Sequence, residues 1–182
     1  MWQQSKLPGT LVRYADDFVI LLHPKTDPQW ILTQLRGMLG RLGLELHPEK
    51  TRVRKAKEGF DFLGVHLRLC RVRKPMAKLK YSCQIWPSDR SMQRIRQKVR
   101  DVIGRRFSKE LAEMIDELNP VLRGWSNYHI RARGNRKRLR KVNIFVHERL
   151  RIFLKRKYGD QTRGSRRLHG SLLVRLGLFQ LA

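Results

Sequence analysis

From residue 88 to residue 158 apolar side chains recur every third or fourth position, the period of a helix buried along one face. Met92, Ile95, Val99, Val102 and Ile103 define a first helix, with Ser88 and Asp89 as its starting caps. Leu111, Ile115, Leu118, Leu122 and Trp125 define a second, beginning near Ser108. A bend is expected in it at Asn119-Pro120, because proline lacks the N–H that the helix needs. Leu139, Val142, Phe145, Val146, Leu150, Phe153 and Leu154 define a third, after a break at Gly134-Asn135. Residues 159–182 read as a basic tail, polar, glycine-containing and loosely ordered from Gly159 to Arg167.

Ahead of residue 88 the period shortens. Leu11 to Tyr14 and Phe18 to Leu22 are strand-like runs of branched and aromatic residues, with Ala15-Asp16-Asp17 at the turn between them. Asp27 then caps a helix that opens on Pro28 and carries Trp30, Ile31, Leu35, Met38, Leu39 and Leu42 until Gly43 ends it. Glu45 to Lys50 is short and extended, and Thr51 to Lys55 reads as a strand. Phe60 to Val65 makes a hairpin corner, and strands at Leu67 to Leu69 and Lys80 to Trp86 are joined by a basic turn around Lys74-Pro75. The pattern shifts at Pro87, and no segment repeats. The fold class is therefore α+β: antiparallel strands with a packed helix over residues 1–87, then an all-α three-helix domain over residues 88–158.

The chain of 182 residues suffices for one domain or two small ones, and its 41% hydrophobic content argues against disorder. Charge changes the picture more. Lys and Arg number 41 against 15 Asp and Glu, a formal net charge of +26. Residues 1–87 hold 16 basic and 7 acidic residues, and residues 88–182 hold 25 and 8, so the helical half carries the larger excess. Such self-repulsion calls for a polyanion, and nucleic acid is the first candidate. A membrane surface competes weakly, since the basic stretches face no long apolar helix side, and no apolar run is long enough to span. Arg13, Asp16 and Asp17 break the first apolar stretch, which rules out a signal-peptide plan. Cys70 and Cys83 are too few for a disulfide framework and form no zinc motif, so a reducing, cytoplasmic compartment is expected.

Two features carry chemistry. Asp16 and Asp17 repel each other at one turn, and a divalent cation relieves that cost; Mg²⁺ suits a few carboxylates together with substrate phosphates. Taken alone, an Asp-Asp pair is more often a solvated acidic turn. The second feature is the run Arg131, Arg133, Arg136, Lys137, Arg138, Arg140 and Lys141 around the start of the third helix. No acidic residue lies between Glu117 and Glu148, so this run has no local counter-charge and reads as a phosphate-contacting face. Trp125 and Tyr128, three residues apart, fit packing within the helices better than stacking on RNA.

In its order of motifs the chain resembles the reverse transcriptases of the group II intron maturase family. Val12-Arg13-Tyr14-Ala15-Asp16-Asp17-Phe18-Val19-Ile20 is similar to the family's catalytic hairpin, and Leu42-Gly43-Leu44-Glu45-Leu46-His47-Pro48-Glu49-Lys50-Thr51 to the next palm motif. Phe60-Asp61-Phe62-Leu63-Gly64-Val65 resembles the motif after that. Leu118 to Tyr128, which includes Arg123-Gly124-Trp125, resembles the maturase-specific thumb. The resemblance implies that residues 1–87 are the C-terminal part of a polymerase palm and residues 88–158 the thumb. It implies that Asp16 and Asp17 hold catalytic Mg²⁺, that Lys50 lies near the incoming nucleotide's phosphates, and that Phe62, Leu63 and Gly64 steady the primer end. For Phe62 a core role is equally compatible with its type. Arg123 joins the basic run as an RNA contact.

The family's palm draws a further aspartate from an upstream strand, which does not precede Tyr14 here. Polymerase activity by this chain alone is thus not expected. Three roles follow from the resemblance: an RNA-binding maturase fragment that favours the splicing-competent fold of intron RNA, one half of a split reverse transcriptase, or an inactive remnant of a mobile element. The split enzyme would act on an RNA/DNA primer-template and would need a second chain or a second copy.

Overall fold

The computed structural model describes residues 2, 4–72, 80–104, 108–130, 132, 136–158 and 170–181. The fold is α+β, and the chain divides into two compact units, Met1–Glu58 and Gly59–Ala182.

The first unit is a hairpin and a helix. Strands β1 (Thr10–Tyr14) and β2 (Asp17–Leu21) pair antiparallel, with Leu11 opposite Ile20 and Tyr14 opposite Asp17. Helix α1 (Pro28–Gly40) starts as its sequence dictates: Asp27 Oδ1 accepts from the Gln29 N–H at 2.9 Å, and Pro28 takes the first position. Its Ile31 and Leu35, one turn apart, are buried, whereas Val12, Leu21, Trp30, Leu42, Leu44 and Val53 stay exposed. The strand expected over Thr51 to Lys55 does not form. Thr51 instead closes a turn, its N–H and hydroxyl both donating to the His47 carbonyl at 3.0 and 2.9 Å. Beyond it Val53 sits exposed between Arg52 and Arg54.

The second unit sets a three-stranded antiparallel sheet beside a helical core. Its strands are β3 (Phe60–Phe62), β4 (Val65–Val72) and β5 (Lys80–Pro87), in the order β3-β4-β5. The turn expected around Lys74-Pro75 lies outside the described residues. Helices α2 (Asp89–Ile103), α3 (Leu111–Tyr128) and α4 (Arg136–Lys157) follow. Ser88 caps α2, its Oγ accepting from the Ser91 N–H at 3.2 Å. Helix α3 begins later than Ser108; the Glu110 N–H donates to the Glu113 carboxylate at 3.1 Å, and Pro120 lies inside the one continuous helix. The core is the apolar face read from sequence: Met92, Ile95, Val99 and Ile103 meet Met114, Ile115, Leu118 and Leu122, and both rows meet Leu139, Val142, Val146, Leu150 and Phe153.

A fourth helix, α5 (Gly170–Arg175), was not foreseen in what reads as a tail. Its Leu173, with Leu178 and Leu181, completes the core. Two asparagine amides grip the strand-like end of this segment. Asn119 donates to the Gly177 carbonyl at 2.9 Å and accepts from the Phe179 N–H at 2.8 Å. Asn143 donates to the Leu181 carbonyl at 3.0 Å and accepts from the Leu181 N–H at 3.1 Å. At the other end, Gly170 lies so close to His147 that a Cβ there would sit 2.8 Å from the ring. The stretch from Gly159 to Arg167 lies outside the described residues.

The two units part after Glu58, ahead of the boundary expected after residue 87. Hydrogen bonds explain where the sheet goes. Tyr128 Oη donates to the Leu63 carbonyl at 2.8 Å, the Ser88 N–H to the Gly64 carbonyl at 2.9 Å, and Arg138 to the Pro87 carbonyl at 3.3 Å. The β3–β4 corner and the end of β5 are thereby fastened to α2, α3 and α4.

Candidate nucleic-acid interface

Two hairpin corners carry the residues that the motifs single out, and both are strained in the same way. Between β1 and β2 only Ala15 and Asp16 make the turn, and Ala15 takes φ +50°. Between β3 and β4 only Leu63 and Gly64 do so, with φ +47° and +74°. A side chain in the left-handed region costs roughly 1–2 kcal/mol, and hairpin turns of this kind ordinarily place glycine there. Non-glycine strain of this sort concentrates at functional sites.

Asp16 and Asp17 are both exposed at the first corner, where Arg13 Nε donates to the Ala15 carbonyl at 2.7 Å. Two hard oxygen donors side by side match part of what Mg²⁺ takes, since this ion keeps several waters and needs one or two carboxylates with substrate phosphates. Among the described residues no group of three or more His, Cys, Asp or Glu is placed to hold a metal ion. The pair therefore fits as a portion of a metal site. Lys50, in the same unit, is exposed at the end of a turn whose N–H donates to the His47 carbonyl at 3.2 Å.

The second corner brings Phe62, Leu63 and Gly64 onto a buried polar cluster. An added Cβ on Gly64 would meet Tyr128, His129 and Ser91 at 3.7, 3.9 and 4.0 Å. Phe62 is half-buried, in keeping with an apolar anchor. Beneath, Trp125 Nε1 donates to Ser91 Oγ at 3.0 Å, and Ser91 Oγ bonds His129 Nε2 at 2.7 Å. His129 is 2% exposed, is flanked by the Trp125 and Tyr128 rings, and has no hydrogen-bond partner on Nδ1 among the described residues. Its burial holds the imidazole pKa below the ordinary histidine value. Trp125 thus packs within the helices as its spacing suggests. Tyr128 keeps its ring largely exposed, set edge-on to His129, and gives its hydroxyl to the Leu63 carbonyl.

The basic run divides by environment. Arg136, Lys137, Arg140 and Lys141 are exposed over the first turns of α4, and no acidic residue stands in the first turn. Arg136 with Arg140 and Lys137 with Lys141 are like charges one turn apart, set at the positive end of the helix dipole. Those two pairings and the dipole are unfavourable there. The far end of α4 differs: Lys157 pairs with Glu110 and donates to the Lys109 carbonyl at 2.8 Å. Arg138 turns inward from the run, pairing with Asp89 at 2.5 Å and lying 6.0 Å over the Trp86 ring. That ring stacks on His66 at 4.8 Å, and His66 bonds Asp61 at 2.6 Å. Arg123 is exposed on α3 over the Phe179 ring, at 5.0 Å. Arg131 and Arg133 lie outside the described residues.

Sequence reading passed over a second cationic row. Arg90, Arg94 and Lys98 recur every four residues along α2, are exposed, and have no hydrogen bond or ion pair with a described residue. The four-residue spacing was the available signal. No helix among the described residues is long and apolar enough to cross a membrane.

Comparison with known proteins accounts for both units. No curated protein matches the chain. Residues 2–67 match the reverse transcriptase (RNA-dependent DNA polymerase) family, and residues 92–170 match the maturase-specific domain of group II introns. The first match covers both strained hairpins, and the second covers most of α2, with α3, α4 and the exposed cations at the start of α4. With the two parts in this order along one chain, the protein belongs to the group II intron reverse transcriptase and maturase family.

Proposed function

We propose that the second unit binds structured group II intron RNA and stabilises the fold in which it splices. The observation that supports this most is the start of α4, where Arg136, Lys137, Arg140 and Lys141 stand exposed with no counter-charge in the first turn. A rigid helical core that presents unfavourable cation pairs is stabilised when phosphates bind there. RNA recognised by shape and backbone needs such a surface. Charge reversal at Arg136 and Arg140 together is expected to weaken binding of a folded intron RNA at least about tenfold and to flatten its salt dependence. Unchanged affinity would remove this face from the interface. Splicing of the same RNA at limiting Mg²⁺ should quicken when the protein is added; no change in rate would refute the splicing role.

The strained turn at Asp16-Asp17 favours a second, compatible role. The two carboxylates are the chain's share of a nucleotidyl-transfer site, completed by a carboxylate from another strand, a second chain or a second copy. Asp16 and Asp17 would help to hold Mg²⁺ there, which would supply charge stabilisation for phosphoryl transfer. Lys50 would meet nucleotide phosphates, and the Phe62-Leu63-Gly64 corner would support the primer end of an RNA/DNA primer-template. The chain alone is expected to extend no primer on an RNA template. Robust extension that Asp16→Ala abolishes would overturn that expectation.

A further inference from the structure

Between α2 and α4 lies an open cleft of about 320 Å³, lined by Asp89, Met92, Gln93, Arg96, Arg138 and Lys141. Three cations share it with one carboxylate. That carboxylate is already engaged, because Asp89 accepts from Arg138, which the Pro87 carbonyl and the Trp86 ring hold in addition. Arg96 and Lys141 are left over. Arg96 lays its guanidinium 5.8 Å from the Phe145 ring, and its Nε is buried without a hydrogen-bond partner among the described residues. Lys141 is exposed and makes no hydrogen bond or ion pair with a described residue. A buried cationic donor without an acceptor is destabilising, and a second cation beside it adds repulsion. An anion with several acceptor oxygens entering the cleft relieves that repulsion.

We infer that this cleft takes one backbone phosphate of an unpaired RNA strand, between Arg96 and Lys141. This rests on the RNA-binding reading above and narrows it to a particular seat. A phosphodiester supplies oxygens for both cations, and a guanidinium fork suits it geometrically. Of the remaining lining, Gln93 is exposed and offers its amide to the attached nucleoside. Duplex RNA keeps its bases stacked behind a stiff phosphate ridge. An unpaired strand can lower one phosphate into a recess between two helices and turn its base aside.

The test is binding of the full chain to a short oligouridylate, and to the same strand annealed to its complement, by fluorescence anisotropy over a salt series. Lys141→Gln removes a side chain with no bond to a described residue, and Arg96→Met keeps an apolar stem over Phe145. Each is expected to weaken single-strand binding about tenfold and to lower the salt slope by about 0.7. Arg156→Gln removes the same charge roughly 22 Å further along α4 and is expected to change affinity less than about threefold. Duplex binding should shift by less than about threefold in Arg96→Met, whose side chain lies outside the exposed row at the start of α4. If the wild type binds RNA but the cleft variants lose no more than Arg156→Gln, the cleft is refuted while the RNA-binding reading stands. Equal losses on strand and duplex would refute the preference for unpaired RNA. A wild-type chain with no affinity for either would overturn both. Should thermal melting show that Arg96→Met unfolds the protein, Lys141→Gln decides alone.

Discussion

Replacing Ser91 by alanine tests how the β3–β4 corner is held on the helices. Ser91 Oγ serves Trp125 Nε1 at 3.0 Å and His129 Nε2 at 2.7 Å, so one substitution strands two polar groups. A buried group left without its partner costs about 1–3 kcal/mol. Trp125 is half-buried and recovers part of that from water, so its share is about 1 kcal/mol. His129, 2% exposed and lacking a partner on Nδ1 among the described residues, has no such recourse, and its share is about 2 kcal/mol. Alanine's better helix propensity returns about 0.5 kcal/mol. The α2 cap is untouched, because the Ser91 N–H rather than its side chain meets Ser88. The net loss is about 2–3 kcal/mol. In urea unfolding followed by far-UV circular dichroism this should lower the midpoint by about 1 M at unchanged slope, for a slope of roughly 2 kcal/mol/M. A midpoint within about 0.2 M of wild type would show that the Ser91 bonds contribute nothing net.

Other perturbations follow from the same geometry. Burial lowers the pKa of both His129 and His147. Above pH 6.5, the ordinary value, folded and unfolded chains are both neutral at these rings and stability is full. As pH falls below it, the unfolded chain takes up protons that the folded chain refuses, so stability declines until the folded pKa values are passed. His129→Gln should flatten that decline in a melting series between neutral and mildly acid pH; an unaltered profile would exonerate His129. Ala15→Gly relieves a φ of +50° and should stabilise the first unit by about 1 kcal/mol, read as a shift in its proteolysis or melting, and a loss of stability would contradict the strain. Asn119→Ala breaks the bonds to Gly177 and Phe179 and should cost about 2 kcal/mol, with earlier hydrogen exchange at the Phe179 amide. Retained protection there would mean that Leu178 and Leu181 suffice to hold the segment.

The helices were legible because their signals are local. Met92, Ile95, Val99 and Ile103 repeat at helical spacing, and Asp27-Pro28 and Ser88 announce starts that hydrogen bonds then realise. The two hairpins were legible from short apolar runs around turn residues. Three things were not. Thr51 to Lys55 is branched enough for a strand, but pairing depends on a neighbour that the segment itself does not encode. Helix α5 hid within a run judged by its charge, although Leu172, Leu173, Leu176, Leu178 and Phe179 were there to be weighed. The Ser91–His129 bond joins residues 38 apart, and nothing in either neighbourhood names the other. Asp16 and Asp17 were recognised by motif, yet the strain at Ala15 that sets their turn is a backbone property. So is the inward turn of Arg138, which took one member of the basic run out of the solvent-facing set.

The grip of Asn119 and Asn143 on residues 177–181 has a consequence for the order in which this chain is made. A ribosome delivers α2, α3 and α4 well before Leu178 and Leu181, yet those late residues fill the same core and satisfy both amides. Until they emerge, the nascent helices hold an open apolar trough with two unanswered side-chain amides at its rim. Cotranslational folding of this unit must therefore wait on residues 177–181, which lock helices made before them.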